Sequence, residues 1–149
     1  MDQICMYLPI KPISYNQSHV VVGNVLRSST LKKKFQREAS KLITPFSKDL
    51  KKFATSHMGR PVQMKIRYIF WVPRADLIAK STSGISKTSL DVDNAMKCIN
   101  DVVFKRMEKF NPDINDAYVT YMGLEKRPSP KEQYGITIHL SSQLLKIGA

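Results

Sequence analysis

The chain has 149 residues, and its 24 lysines and arginines against 12 aspartates and glutamates give a formal net charge of +12. This length predicts a single domain, residues 1–149, that buries a core without disulfides. No stretch reaches the ~18 consecutive apolar residues of a membrane helix, and the N-terminus lacks the basic segment and apolar run of a signal peptide. We therefore expect a soluble cytoplasmic protein with no membrane partner.

The basic excess is the strongest feature of the composition. It favours nucleic acid as a partner and, less often, an anionic membrane surface, while the plain alternative is a well-solvated surface. Because the positive charge extends over most of the chain rather than one tail, we favour nucleic acid. Cys5 and Cys98 lie far apart in the sequence, and we expect both to be buried free thiols.

The first half of the chain predicts two strands, a divided helix and a third strand. Residues 3–8 form a β-prone run, and residues 19–26 form a second run that breaks or turns midway. An apolar repeat of 3.6 residues then predicts a helix, capped at residues 28–30, that Pro45 kinks or divides. Residues 62–73 alternate apolar and polar side chains and end at a proline, which predicts a strand.

The second half predicts a loop, a helix and a hairpin. Residues 74–88 are short of bulky side chains and rich in serine, so we expect a flexible basic loop. This loop either closes on a phosphate backbone or is a plain surface insertion. After a central helix, residues 117–127 and 136–142 read as antiparallel partners joined by a turn. The pattern predicts a compact α+β domain with one mixed sheet packed by two main helices.

The stretch from Ser89 to Val119 holds half of the acidic residues of this basic chain. An acidic cluster within a basic protein suggests a cation site inside a polyanion-binding surface. The six acids are Asp91, Asp93, Asp101, Glu108, Asp113 and Asp116.

Asp91 and Asp93 have the spacing of two ligands for one cation. If residues 90–93 are extended, both carboxylates point to one side with Cα atoms about 7 Å apart, whereas within a helix they would diverge by about 200°. We therefore expect the extended run to end near Asp93, and Asp93 or Asn94 to cap the helix that follows. The plain alternative for Asp93 is a helix cap and no more.

Lys97 lies one helical turn from both Asp93 and Asp101. These three side chains form either an ordinary ladder of surface ion pairs, each of little energetic weight, or part of an active site. In the second case the Lys97 ammonium contacts a scissile phosphate and stabilises its developing charge. The Asp-x-Asp one turn earlier favours the active site.

Asp116, at the entry to the next strand, is the third carboxylate of the predicted site. It comes beside Asp91 and Asp93 if that strand pairs nearby. Three ionised carboxylates repel one another unless a metal balances them. Mg²⁺, for which Mn²⁺ is an expected substitute, binds one or two protein carboxylates and completes its shell with water and phosphate oxygens. Such an ion can activate water for in-line attack on a phosphodiester.

Residues 91–101 read Asp-Val-Asp-Asn-Ala-Met-Lys-Cys-Ile-Asn-Asp, and residues 115–119 read Asn-Asp-Ala-Tyr-Val. The first run resembles the pattern Asp-x-Asp-Asn-x-x-Lys-x-x-x-Asp of the RusA family of Holliday junction endonucleases. The second is similar to the family's Asp-Asp-x-x-Val, with an asparagine in place of the first acid. The proline-rich opening at residues 8–17 also resembles the start of that family.

The resemblance implies a RusA-like fold and a Mg²⁺-dependent endodeoxyribonuclease that resolves Holliday junctions or other branched DNA. It implies a homodimer in the cytoplasm of a bacterial or phage-infected cell. Asp91, Asp93 and Asp116 would be the metal carboxylates, and Lys97 would be the catalytic lysine. Asn94 and Asp101 would be supporting residues of the motif.

Four cations outside the motif are candidate contacts to the DNA backbone. One lies in the proline-rich opening at residues 8–17, and three lie within the predicted loop at residues 74–88. These residues are Lys11, Arg74, Lys80 and Lys87.

Two other functions fit the sequence. In the first, the chain is a non-catalytic nucleic-acid-binding protein whose acidic cluster only caps a helix and forms ion pairs. In the second, it is a different Mg²⁺-dependent phosphohydrolase that acts on nucleotides or RNA.

Overall fold

The computed structural model describes residues 2–13, 19–23, 25–56, 59, 62–80, 84–86, 89–114 and 116–144. Within these ranges the chain forms six strands and four α-helices, and two single turns of 3₁₀ helix, Thr44–Phe46 and Asp116–Tyr118, precede the second α-helix and the fifth strand. In order, the elements are β1 (Asp2–Leu8), β2 (His19–Val22), β3 (Val25–Ser28), α1 (Thr30–Ile43), α2 (Ser47–Thr55), β4 (Val62–Val72), α3 (Arg74–Leu77), α4 (Val92–Glu108), β5 (Val119–Pro128) and β6 (Gly135–Leu144).

The main sheet is mixed and has the strand order β1-β6-β4-β5. β1 and β4 flank β6 and run antiparallel to it, and β5 runs parallel to β4. The predicted pairing of residues 117–127 with residues 136–142 is wrong, because β4 lies between the two strands. β4 is the most apolar strand, so it gains the most burial from having a neighbouring strand on each side. The connection from β5 to β6 passes the C-terminal end of β4, where the Ser129 N–H donates to the Val72 carbonyl at 2.8 Å.

One face of this sheet is buried under the helices. Met64, Ile66, Tyr68 and Phe70 of β4 are each fully buried, as their alternation predicts. The helices α1, α2 and α4 supply the facing layer of the core, and their buried side chains include Phe35, Ala39, Ile43, Leu50, Phe53, Ala95, Ile99, Val103 and Met107. This arrangement confirms the predicted α+β class and the mixed sheet.

The divided helix of the first half is also confirmed. Ser29 caps α1, and its hydroxyl accepts the backbone N–H three residues on at 3.1 Å. Pro45 lies in the 3₁₀ turn that separates α1 from α2, since its ring cannot continue an α-helix. Arg106 of α4 reaches this junction and donates to the Ser40 carbonyl at 2.9 Å and the Ser47 hydroxyl at 3.0 Å. These contacts fix the C-terminal half of α4 against α1 and α2.

A small hairpin of β2 and β3 precedes α1 in the chain. β2 and β3 pair antiparallel around Gly23, whose φ of 63° suits glycine, so the predicted turn is confirmed.

Residues 74–88, after β4, are expected from the sequence to be a flexible loop. They instead begin with α3 and continue into a bridge between Ile78 and Ile85, because the buried Leu77 anchors them. Residues 81–83 and 87–88 lie outside the described part.

No helix in the described ranges is long and apolar enough to cross a membrane. Cys5 and Cys98 are both free, as predicted. Cys98 is buried within α4, but Cys5 is exposed, contrary to expectation. Alternate side chains of β1 point away from the helices, and Cys5 is one of these.

Candidate functional site

Helix α4 begins at Val92, two residues earlier than the sequence predicts. Asp91 is its N-cap, with extended backbone angles of −89° and 110°. The Ala95 N–H donates to the Asp91 carbonyl at 3.0 Å and closes the first helical turn. The expectation that Asp93 or Asn94 caps the helix is therefore wrong. Asp93 instead lies within the first turn, where the helix dipole favours a negative charge.

The two carboxylates still come together, although not through an extended pair. Asp91 stands outside the helix and Asp93 inside its first turn. The hydrogen-bonding interaction between their carboxyl groups is the largest influence on both, and it raises the pKa of Asp91 and lowers the pKa of Asp93. Opposite shifts of this kind are typical of two neighbouring acids that titrate together.

Asn94 holds both acids in place. Its side-chain amide donates to Oδ2 of Asp91 at 3.0 Å, and its backbone N–H donates to Oδ1 of Asp93 at 3.0 Å. The Asn94 side chain spans the boundary between the cap residue and the first turn. A position that the family resemblance marks as supporting therefore has a defined local contact to each carboxylate.

Lys97 is exposed on α4 one turn beyond Asp93. The pKa of Asp93 is lowered chiefly by the hydrogen bond with Asp91, and the Lys97 charge lowers it further. Asp101 lies a further turn along, about 12 Å of helix rise from Asp93. Its charge acts on Tyr68, whose pKa is raised by burial and then by Asp101. Asp101 is therefore separate from the carboxylate pair.

Asp116 enters the fold at the other end of the sheet. Its backbone begins the 3₁₀ turn directly before β5, and its side chain and the whole of Asn115 lie outside the described part. Val119 and Lys126 of β5 are separated by about 23 Å of extended chain, and Lys126 is the end that contacts the segment before Asp91. No group of three His, Cys, Asp or Glu side chains able to hold a metal occurs among the described residues. The role of Asp116 as a third ligand stays a prediction.

Lys126 is a residue of this site that the sequence did not single out. Its ammonium donates to the Ser89 hydroxyl and to the Leu90 carbonyl, each at 2.8 Å. It therefore fixes the backbone immediately before Asp91. A lone lysine in a strand carries no signal for this contact, because the contact depends on β5 pairing beside β4 rather than beside β6.

The described candidate DNA contacts gather at the edge of the sheet formed by the C-terminal ends of β1, β4 and β5. β1 and β4 both run antiparallel to β6, so their C-terminal ends lie on the same side of the sheet. Lys11 follows β1 and Arg74 follows β4, and both therefore lie at this edge. The Lys11 ammonium sits 5.0 Å from the centre of the Tyr134 ring, and the Tyr134 hydroxyl donates to Oδ2 of Asp76 at 2.8 Å. The contact from Lys126 brings the start of α4 to this edge as well.

The two remaining basic candidates differ in what is described. Lys80 is exposed in the segment between Ile78 and Ile85, beyond α3 at the same edge. Lys87 lies outside the described residues, so its place in the site stays a prediction.

No protein-family model matches the chain, and none of the curated proteins matches it. We therefore infer the function from the residues at the start of α4 and from the resemblance in their spacing.

Proposed function

We propose that this protein is a Mg²⁺-dependent endodeoxyribonuclease that cuts branched DNA, with the four-way Holliday junction as its main substrate. The observation that carries the proposal is the pair of Asp91 and Asp93 at the start of α4, both bonded to Asn94, with Lys97 one turn away. In a chain of net charge +12, an exposed pair of acids linked by one asparagine is a candidate site for a cation.

The donor set suits a hard divalent cation. Two carboxylates in contact repel when both are ionised, and a cation relieves that repulsion without protonating either acid. Mg²⁺ accepts one or two protein carboxylates, so Asp91 and Asp93 would hold it, with Mn²⁺ as a substitute. Asp116 of the same chain is not part of this proposed ligand set, because its backbone enters at the opposite end of β5 from Lys126. When bound, the ion supplies Lewis acidity toward a phosphate oxygen and lowers the pKa of a bound water.

The surrounding side chains have separate tasks in this proposal. Asn94 orients the Asp91 carboxylate through its 3.0 Å hydrogen bond. Lys97 presents its ammonium to the scissile phosphate and stabilises the negative charge that develops there. Lys126 holds the Leu90 carbonyl, which keeps the cap residue at a fixed distance from the first turn. Arg74 and Lys11, at the same edge, attract the DNA backbone.

The resemblance to the RusA family adds the expected assembly. A homodimer of that kind would place two sites on strands of like polarity at a four-way junction, and paired cuts would release nicked duplexes. A RusA-like arrangement of the sheet and helices is part of the same proposal. Asn115, where the family has an acid, leaves the site with one carboxylate fewer than the family pattern.

A second candidate function is binding of nucleic acid without cleavage. The observation that favours it is that the described residues bring only two carboxylates together, with the backbone of Asp116 entering at the far end of β5. In that case Asp91 and Asp93 serve only the start of α4.

Cleavage of a synthetic junction separates the two candidates. A four-way junction and a matched linear duplex are incubated with the protein in Mg²⁺ or in EDTA, and the same is done with Asp91→Asn. The nuclease proposal predicts Mg²⁺-dependent cutting of the junction. It also predicts that Asp91→Asn abolishes cutting while binding is kept or strengthened, because less negative charge faces the DNA.

Glu108→Gln, at the exposed C-terminal end of α4, is the matched control and should cut as the wild type does. Absence of Mg²⁺-dependent cutting by well-folded protein would contradict the nuclease proposal. Junction binding without cutting, unchanged in Asp91→Asn, would favour the binding protein instead.

A further inference from the structure

The face of the main sheet that points away from the helices has no role in the proposed nuclease site. Directly paired residues on neighbouring strands project to the same side, so the registers define three rows across this face. One row contains Cys5, His139, Arg67 and Gly123. The row before it contains Gln3, Ser141, Lys65 and Tyr121, and the row after it contains Tyr7, Thr137, Ile69 and Glu125. Of these residues Gln3, Cys5, Tyr7, Lys65 and Tyr121 are exposed, whereas Ile69 is buried.

Two aromatic rings lie exposed at opposite sides of this face. Tyr7 on the edge strand β1 is 46% exposed, and Tyr121 on the edge strand β5 is 55% exposed. From the strand spacing and the rise per residue, the two positions are about 20 Å apart on a diagonal, a span of several nucleotides.

Both tyrosine side chains lean over a glycine of the sheet. A Cβ added to Gly135 would meet the Tyr7 hydroxyl oxygen at 2.5 Å, and a Cβ added to Gly123 would meet the Tyr121 hydroxyl oxygen at 3.0 Å. Each side chain therefore lies over the sheet while about half of it stays exposed. Exposed aromatic side chains on a sheet are groups on which unpaired bases stack.

The open face carries more cations than acids. A shallow depression of about 500 Å³ adjoins Tyr121 and is lined among others by Lys65, Arg67 and His139. The described charged side chains of this face are three cations and one carboxylate, namely Lys65, Arg67, Arg127 and Glu125. Glu125 accepts from both arginines and holds their guanidinium groups on the surface. Arg127 lies one row beyond Tyr7, and the face as a whole keeps a positive excess.

We infer that this open face binds single-stranded nucleic acid, with unpaired bases stacked on Tyr121 and Tyr7 and the backbone phosphates drawn to Lys65 and the two arginines. The charge of the face argues against a second copy of the chain as occupant, since a two-fold contact would set like charges against each other. Duplex is disfavoured as the main ligand, because the faces of its paired and stacked bases are not free to stack on exposed aromatic side chains. The inference does not depend on cleavage.

Trp71 provides a local reporter. It is the single tryptophan of the chain, it pairs with Gly135 on this face, and its indole N–H donates to the Thr137 hydroxyl at 2.8 Å. An oligothymidylate of about 12 nucleotides, within the site sizes of single-strand binding proteins, is titrated into the protein in EDTA. We expect saturable quenching of Trp71 fluorescence by the single strand and weak or no quenching by the matched duplex.

Variants then assign the binding to the rings. Tyr121→Ala and Tyr7→Ala should each weaken single-strand binding about tenfold, while Tyr121→Phe and Tyr7→Phe, which keep the stacking face, should bind as the wild type does. Gly135→Ala should also weaken binding, because its Cβ would lift the Tyr7 ring. Lys105→Ala, an exposed lysine of α4 in the opposite layer, is the charge control and should leave the quenching curve unchanged.

Three results would overturn the inference. The first is equal affinity of the alanine variants and the wild type. The second is equal weakening by Lys65→Ala and Lys105→Ala, which would indicate general attraction of a basic protein to a polyanion. The third is a sedimentation result in which the wild type self-associates and Tyr121→Ala does not, since a second copy would then cover the face. An oligouridylate arm shows whether RNA or DNA is preferred, and binding of either supports the inference.

Discussion

The pair of Asp91 and Asp93 shows how two acids one residue apart can meet at a helix start. The cap residue keeps an extended backbone, while the second acid turns with the first helical residues. Asn94 then links the two side chains across the boundary, since it donates to both carboxylates. The spacing of the acids predicted a common site. It did not predict the conformation, because both an extended pair and a cap-plus-first-turn pair satisfy the same sequence.

Lys97 is the residue whose chemistry can be separated from metal binding. Lys97→Ala should lower the rate of junction cleavage by about 100-fold or more, since it removes one donor aimed at developing charge. Divalent-cation binding, followed by calorimetry, should persist in this variant. Lys105→Ala, two turns further along α4, should retain cleavage. Loss of cation binding in Lys97→Ala would instead make Lys97 a structural partner of Asp93.

Tyr134 predicts a change of stability at alkaline pH. Burial, together with its hydrogen bond to Asp76, raises the pKa of Tyr134 to about 12. Because the folded pKa lies above the ordinary value of 10.0, the neutral phenol stabilises the folded state, fully below pH ~10, and this contribution is lost as pH rises toward 12. Urea unfolding of the wild type should show this loss, and Tyr134→Phe should not. An equal loss in Tyr134→Phe would show that other groups cause it.

At the scale of elements, α4 is held at three points that determine where its first turn lies. Arg106 secures its C-terminal half, and the Tyr68 hydroxyl donates to Oδ1 of Asn100 at 2.6 Å from the buried centre of β4. Lys126 of β5 fixes the carbonyl of Leu90 just before it. The early start of the helix follows from this third contact, which a local capping rule does not contain.

The contact between β4 and α4 can be tested by removing one oxygen atom. Tyr68→Phe keeps the buried ring but leaves Oδ1 of Asn100 without this donor. We expect the free energy of unfolding to fall by about 1 kcal/mol, the usual net worth of such a hydrogen bond. Tyr121→Phe, whose ring is exposed, should change it by less than about 0.5 kcal/mol. Equal unfolding midpoints in urea for both variants would contradict the importance of this contact.

Elements with strong local signals were predictable, and their pairing was not. β1, β4 and the division of the first helix at Pro45 follow from alternation, proline and capping. The order of β5 and β6 depends on which strand occupies the centre of the sheet. A short turn between them favours a hairpin from the sequence, but the apolar β4 takes the place between them. The same choice brings Lys126 to the start of α4, so the Lys126 contact and the topology were missed together.

At the scale of the whole molecule, the two faces and one edge of the sheet have different chemistry. One face is covered by helices and forms the core. One edge carries the carboxylate pair together with Lys11 and Arg74, and the uncovered face carries Tyr7 and Tyr121 among cations. A branched DNA offers both duplex arms and unpaired bases at its centre. An edge that cuts and a face that stacks single strands would therefore engage different parts of one substrate.

The central claim is that Asp91 and Asp93 form a divalent-cation site, and paramagnetic broadening by Mn²⁺ tests it most directly. Small amounts of Mn²⁺ are added to ¹⁵N-labelled protein, and the loss of amide signals is mapped. We predict that signals from residues 90–97 disappear first, that Asp91→Asn removes the effect, and that Glu108→Gln preserves it. Broadening at Asp116 in the same titration would assign it to the site. First broadening elsewhere, or an unchanged pattern in Asp91→Asn, would contradict the claim.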